Sequence, residues 1–246
     1  MDDDRFALNY KGVPYETVFV SYPDIRELVI SFGAEPGYRN TPHGDLYTLP
    51  AIYDPAHKLF IVDSWNIALH LDKHYPARDG SGAIDEAKQI LPQGSRMLQR
   101  SFFMWHDNVV LDPVADIACM DCPESLDERG AVYFRETRAL WWGKPLEEWV
   151  KDRPAHWEKI LKAYEKLAKL YDEHAALEAK DDKAVGGAWA MGGETPTFAD
   201  FVVGGCLIWT KKLNKAEGEG WNVLGKAQGG RWDRFLKKLE PYMQEE

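Results

Sequence analysis

Two short segments carry the residues best placed, by type and spacing, to do chemistry: Tyr47-Thr48-Leu49-Pro50-Ala51-Ile52 and, after a hairpin-like break, Ile61-Val62-Asp63-Ser64. Leu49 precedes a proline, and for such a bond the cis form costs only about 0.5–1 kcal/mol. On the dipeptide alone, an ordinary turn proline is the commoner reading. Asp63-Ser64 stands just ahead of an apolar-periodic run and so opens a helix. Free N–H groups and the helix dipole favour an anion there. The Ser64 hydroxyl and those N–H groups can hold a carboxylate, while Asp63 can pair with a neighbouring ammonium group. The plain alternative is an N-cap, the commoner use of Asp and Ser. The linked spacing of the two segments, and neither motif alone, points to a backbone and charge clamp for a small peptide. Thr48 adds a side-chain contact at its edge.

The elements that must position this clamp follow from periodicity and punctuation. Residues 5–11 read as the end of a helix, stopped by Gly12 and Pro14. Residues 15–20 read as a strand, since Thr17, Val18, Phe19 and Val20 are β-branched or aromatic. Asp24 is placed to cap a helix to Phe32, with Ile25, Leu28, Val29 and Phe32 on one stripe. Residues 33–45 are rich in Gly, Pro and polar residues and read as loop. Residues 51–53 and 59–62 are short strands, and residues 64–75 are a helix ended by Pro76. Asp79-Gly80-Ser81-Gly82 reads as a linker.

Beyond the linker the pattern is helical only. Residues 83–110 are long and periodic, with a break near Pro92. Ser125-Leu126-Asp127-Glu128 reads as a capping box opening a helix to Trp142. Trp157, Ile160, Leu161, Tyr164, Leu167, Ala168 and Tyr171 form an amphipathic stripe. Thr197-Phe198-Ala199-Asp200 is a second cap sequence, opening a largely buried helix. A last helix spans residues 231–242.

Composition bounds the function. The 246 residues include 45% hydrophobic residues, enough for a sizeable core. Ten Trp, eleven Tyr and ten Phe suit an aromatic-lined cleft and equally suit ordinary helix packing. A net charge of −10 repels phosphate backbones, so a nucleic-acid partner is not expected. Three cysteines make no disulfide framework and fit a reducing compartment. Met1-Asp2-Asp3-Asp4 is acidic and no signal peptide follows. The most apolar stretch, residues 201–209, is far shorter than the roughly 20 residues that a bilayer requires. The expected setting is cytoplasmic, with no membrane partner.

An α+β part followed by a linker and an all-helical part resembles the architecture of the glutathione transferases. Leu49-Pro50 matches that family's Val/Leu-Pro before its third strand, Asp63-Ser64 its acidic residue-Ser pair, and residues 197–200 its helical-domain capping box. Within the family the chain resembles the fungal etherase-related (FuA-type) transferases. Tyr47-Thr48-Leu49-Pro50-Ala51-Ile52, Asp63-Ser64 with Ile67-Ala68 and Leu71-Asp72, and Phe198-Ala199-Asp200-Phe201 carry that likeness. So do Tyr133-Phe134-Arg135-Glu136-Thr137-Arg138, Leu146-Glu147-Glu148-Trp149 and Gly229-Gly230-Arg231-Trp232. The similarity covers essentially the whole chain.

The resemblance implies a thioredoxin-like N-terminal domain at residues 1–77, a linker at 78–85, and an all-α C-terminal domain at 86–246. It implies a cis Leu49-Pro50 bond that turns the Leu49 N–H and C=O outward, where glutathione's cysteinyl unit pairs like an added strand. Thr48, Leu49, Pro50, Asp63 and Ser64 are then the glutathione-binding residues, with glutathione as co-substrate. The implied activity is conjugation of glutathione to hydrophobic aromatic electrophiles, or ether cleavage with it, in a detoxifying dimer.

The family's thiol-activating group follows its first strand, and here only Met1 and three Asp precede Arg5. A free thiol has a pKa near 8.5, and lowering it by two units takes about 2.7 kcal/mol. Acids oppose that shift. The first strand and its loop are therefore read as missing, and no catalytic residue is assigned. The chain is either a shortened form of a longer transferase or a non-catalytic relative that binds glutathione or aromatic ligands.

Other constellations weigh less. His70 and His74 share a helix face, but no third ligand lies nearby in sequence, so no metal is expected. Cys119 and Cys122 have metal or redox spacing with no second pair, and read as incidental thiols. Gly192-Gly193 and Gly229-Gly230 read as turns. Phe102, Phe103, Trp105 and His106 lie where the resembling fold walls its electrophile pocket.

Overall fold

The structure, a computed structural model, describes residues 3–178, 189–212 and 220–244. Met1 and Asp2, part of the acidic start, lie outside the described residues. Helix α1 (Asp3–Lys11) buries Phe6, Ala7 and Leu8. Gly12 ends it at φ 64°, a conformation that only glycine enters without a Cβ penalty.

Residues 15–20 join no ladder among the described residues, contrary to the strand expected there. Val18 and Phe19 are 73% and 88% exposed. β-Propensity describes how a side chain fits a paired surface, so without a neighbouring backbone it makes no strand. After a turn at Tyr22–Asp24 comes α2 (Ile25–Ser31), with Ile25 and Val29 buried. Asp24 does not cap it. Its carboxylate instead accepts from Arg129 at 2.8 Å.

Residues 33–45, expected as loop, contain a hairpin. Strand β1 (Tyr38–Thr41) pairs antiparallel with β2 (Gly44–Leu46), in register Tyr38↔Leu46 and Thr41↔Gly44. Its polar composition and lack of alternation hid it. Strands β3 (Ala51–Asp54) and β4 (Leu59–Val62) form the second antiparallel pair, with Ala51 opposite Val62 and Asp54 opposite Leu59. Helix α3 (Ser64–His74) follows and buries Ile67, Ala68 and Leu71.

The helical part starts later than its periodicity suggests. Gly94 at φ 86°, close after Pro92, holds the chain out of helix until α4 (Arg96–His106). A π-turn at Asp107–Leu111 carries α4 into α5 (Asp112–Asp121). Helix α6 (Glu128–Trp142) is capped by Asp127, which accepts from the Gly130 N–H at 2.6 Å. Ser125 lies in the preceding 3-10 turn, so the expected capping box is set two residues too early.

Helix α7 (Arg153–Glu178) buries Trp157, Ile160, Tyr164, Leu167, Ala168 and Tyr171 as the periodicity predicts. Helix α8 (Phe198–Lys212) is the buried centre. Asp200 closes its cap, accepting from the Thr197 N–H at 2.9 Å and the Thr197 hydroxyl at 3.0 Å. Helix α9 (Trp221–Leu224) and α10 (Ala227–Leu239) complete the chain. Positive φ at Gln228, Gly229 and Gly230 makes the straight part of α10 begin at Arg231, as expected.

Helix α1 packs on both α3 and α8, and Phe6 stacks on Phe201 at 5.8 Å. The junction is fixed by a buried pair. Lys11 Nζ meets Asp72 Oδ1 at 2.7 Å, and Asp72 also accepts from the Ile90 and Leu91 N–H groups at 2.9 and 2.7 Å. Ile90 C=O in turn accepts from the Phe198 N–H at 2.9 Å, tying α3 to α8 through the 90–91 strap. Among the described residues no helix is long and apolar enough to cross a membrane.

Candidate functional site

The β3–β4 register brings the two sequence motifs together. Leu49-Pro50 is cis, as the resemblance implies. The Asp63 N–H donates to the Pro50 C=O at 3.1 Å, one step beyond the Ala51–Val62 pair. Leu49 is 39% exposed, and among the described residues its N–H and C=O have no hydrogen-bond partner. A free backbone donor and acceptor on an exposed residue is what an added peptide strand requires. Thr48 is oriented differently: its Oγ1 lies 2.5 Å from where a Cβ on Gly37 would stand. Its side chain faces the lead into β1, and Gly37 is what lets the backbone pass.

Asp63 takes φ 81° and ψ 128°, unusual for a residue with a Cβ and costing on the order of 1–3 kcal/mol. Its Oδ1 accepts from the Trp65 N–H at 2.9 Å and the Asn66 N–H at 3.3 Å. Asp63 is thus the N-cap of α3. It uses two of the donors that an incoming carboxylate would otherwise find. The Ser64 N–H and hydroxyl remain at the helix end, on a residue 8% exposed. Of the five predicted site residues, the geometry therefore joins Leu49, Pro50, Asp63 and Ser64, and turns Thr48 aside.

Sequence reasoning named the acids before Arg5 but missed Arg100 and Asp107. Arg100 on α4 lies over Trp65 (5.3 Å) and Phe103 (5.1 Å), and its buried Nη1 has no hydrogen-bond partner among the described residues. Asp107 Oδ1 and both Asp3 carboxylate oxygens are likewise buried with no partner among the described residues. Burial, then the Asp3 and Asp112 charges, push the Asp107 carboxyl up to about 6 against the pull of Arg100. Burial and the Asp3 charge lift Asp4 to about 6. Burial followed by Asp107 and Asp63 raises the Tyr38 hydroxyl. The signal that could have found this pair is the seven-residue spacing of Arg100 on α4 and Asp107 just past its end, about two turns on one face.

The expected pocket wall divides. Phe103 packs edge-on against Phe198 at 5.6 Å, and Phe102 and Trp105 are partly exposed. His106 is fully buried, and burial drives its pKa down to about 3, so it is a neutral core residue. Burial lifts Cys119 to about 11 and Cys206 to about 12 and also raises Cys122, so these are thiols, not thiolates.

A second group sits at the opposite end of the β3–β4 hairpin. Asp54 Oδ2 is 2.8 Å from His57 Nδ1 and 2.7 Å from His70 Nε2, and accepts from the Tyr75 hydroxyl at 2.9 Å. Its Oδ1 accepts from the Ala56 and His57 N–H groups at 2.9 and 3.2 Å. Burial pushes the Asp54 carboxyl up, but the bonds from His70, Tyr75 and His57 outweigh it and hold it well below the usual carboxylate range. His70 is 8% exposed and anchored here.

The fold and the site can be set beside known proteins. Residues 97–242 match the family model of the glutathione S-transferase C-terminal domain. The glutathione S-transferase-like protein ustS of Aspergillus flavus is 30% identical over 220 residues, covering 85% of this chain and 72% of that protein. A glutathione S-transferase of Ceriporiopsis subvermispora, solved in complex with glutathione, superposes with a TM-score of 0.81 at 29% identity, covering 99% of this chain and 90% of that one. Glutathione transferase GSTFuA3 from Phanerochaete chrysosporium gives a TM-score of 0.81 at 31% identity with the same coverage. The chain belongs to the glutathione S-transferase family, and its fold is the thioredoxin-like plus helical fold of the fungal FuA-like members.

Proposed function

We propose that this chain binds glutathione at the Leu49–Ser64 clamp. The cysteinyl main chain pairs with the Leu49 N–H and C=O, and a glutathione carboxylate sits at the Ser64 N–H and hydroxyl. The observation that carries this reading is the pair of free Leu49 backbone groups beside the α3 N-terminus, joined by the Asp63–Pro50 hydrogen bond. Glutathione is also the ligand of the similar Ceriporiopsis structure. The first domain, residues 1–77, supplies these contacts. The acids Asp3 and Asp107 oppose a thiolate and favour binding over ionisation of the bound sulfur.

The second reading is transfer of glutathione to hydrophobic aromatic electrophiles or ethers, in a cytoplasmic dimer with a detoxifying role. Arg100 favours it: a guanidinium over Trp65, with a buried nitrogen that has no partner among the described residues, is a cation available to a bound anion. Calorimetric titration with glutathione, alongside a conjugation assay with a chlorodinitrobenzene, tests both. Saturable binding that weakens in Ser64→Ala supports the clamp, and its absence overturns it. Turnover that falls in Arg100→Leu supports transfer; binding without turnover leaves the first reading alone standing.

A further inference from the structure

The far end of the β3–β4 hairpin carries chemistry that the glutathione reading does not use. We propose that Asp54, His57 and His70 form a binding site for one late first-row divalent metal ion of the zinc class, the fourth position being taken by solvent.

The donor atoms are already gathered. Asp54 Oδ2 and one ring nitrogen each from His57 and His70 all lie within 4.8 Å of one another. Zinc binds imidazole and carboxylate at about 2.0–2.2 Å, which in a tetrahedron puts neighbouring donor atoms roughly 3.3 Å apart. The present Asp54 contacts, 2.8 Å to His57 and 2.7 Å to His70, need to open by about half an ångström for a metal to take the place of the bridging protons. His57 can make that adjustment, because it sits in the turn between β3 and β4 with 34% of its side chain exposed. That exposure is also the route by which an ion reaches the buried Asp54 and His70.

The surroundings suit a metal ligand set. Ligating carboxylates are held by outer hydrogen bonds, and Asp54 is so held by the Tyr75 hydroxyl and by the Ala56 and His57 N–H groups. The His74 ring lies 4.1 Å from the His57 ring and 4.5 Å from the His70 ring, closing the site on the α3 side. One carboxylate with two imidazoles selects zinc, cobalt, nickel or copper over magnesium or calcium, which prefer all-oxygen sets. The ion would tie the hairpin turn to the C-terminal half of α3. Its place, opposite Pro50 and Asp63, makes it independent of the glutathione clamp.

The test is a calorimetric titration of the chelator-stripped, glutathione-free chain with Zn2+, repeated with Co2+ while following visible absorption. One ion per chain is expected, with the intense ligand-field bands of four-coordinate cobalt. His57→Ala changes an exposed turn residue, so the protein should stay folded and bind Zn2+ at least about 10–100-fold more weakly. His70→Gln should lose binding likewise, and Ser64→Ala should keep it. No saturable binding would overturn the proposal. So would stoichiometric binding that persists in both histidine variants, which would place the ion elsewhere, as at Cys119 and Cys122.

Discussion

The two ends of the β3–β4 hairpin solve opposite problems. At the Pro50–Asp63 end, groups lack partners among the described residues: the Leu49 backbone is unpaired, Asp63 holds a positive φ, and Arg100 and Asp107 bury bare polar atoms. At the Asp54–Leu59 end, one carboxylate accepts five hydrogen bonds. Burying polar atoms without partners is costly, so the first end is where the proposed glutathione contacts would count most. The second end has its bonds made within the chain and acts as a staple between hairpin and helix. Stability and binding should therefore respond to mutation at different ends.

The largest effect is expected from Asp54→Ala. It removes at once the acceptor of the buried His70, the half-buried Tyr75 hydroxyl and the exposed His57, and should lower stability by about 3 kcal/mol. Urea unfolding measures this; a change under 1 kcal/mol would dissolve the contrast between the ends. The folded Asp54 carboxyl titrates below its unfolded value near 3.9. Its stabilisation is therefore present above that pH and fades as pH falls through the folded value. The stability gap between wild type and Asp54→Asn should narrow in acid. Glutathione affinity of the folded Asp54 variant should be little changed.

Ser64→Ala should do the reverse. A hydrogen bond to a charged group contributes roughly 1.5–3 kcal/mol, so glutathione binding should weaken about tenfold or more. The melting temperature should hardly move, because the Asp63 cap keeps α3 closed. A loss of stability matching that of Asp54→Ala would show that Ser64 is packing and not binding.

How far each end could be read before folding follows the same division. Pro50, Asp63 and Ser64 were legible because each carries a local signal: a fixed φ, a capping carboxylate, a helix start. The α7 stripe was legible because its period is local too. The Asp54 cluster was not. His70 and His74 advertise themselves four apart, but Asp54 and His57 reach them only through the hairpin register. Residues 15–20 failed for the complementary reason, since a strand depends on a partner backbone that its own residues do not specify. The β1–β2 hairpin had neither alternation nor apolar content to reveal it, and Arg100 and Asp107 acquired meaning only once α4 was laid beside Trp65.

Smaller changes sharpen the open end. Asp63→Ala removes the α3 cap and should cost about 1–2 kcal/mol. Asp63→Gly loses the same cap but accepts φ 81° without strain, so it should be more stable than the Ala variant by roughly 1 kcal/mol. Equal midpoints for the two in denaturant would mean that the backbone there is not strained.

The smallest expected effect has the opposite sign. Burial and the Asp3 and Asp112 charges raise Asp107 to about 6 in the folded chain, against about 3.9 unfolded. The folded state therefore holds a proton that the unfolded state has released between those values. Stability is lost as pH rises through that window, and the full cost remains above it. Asp107→Asn cannot ionise, so it should be more stable than wild type by about 1 kcal/mol at pH 7, after allowing for solvent screening of a partly exposed group. Below about pH 4 the two proteins should be alike. A bound glutathione anion adds negative charge beside the acids, so the same variant should also bind glutathione more tightly. If Asp107→Asn instead weakens binding, then Asp107 donates to the ligand in its protonated form, and the unsatisfied oxygen at this end is itself part of the clamp.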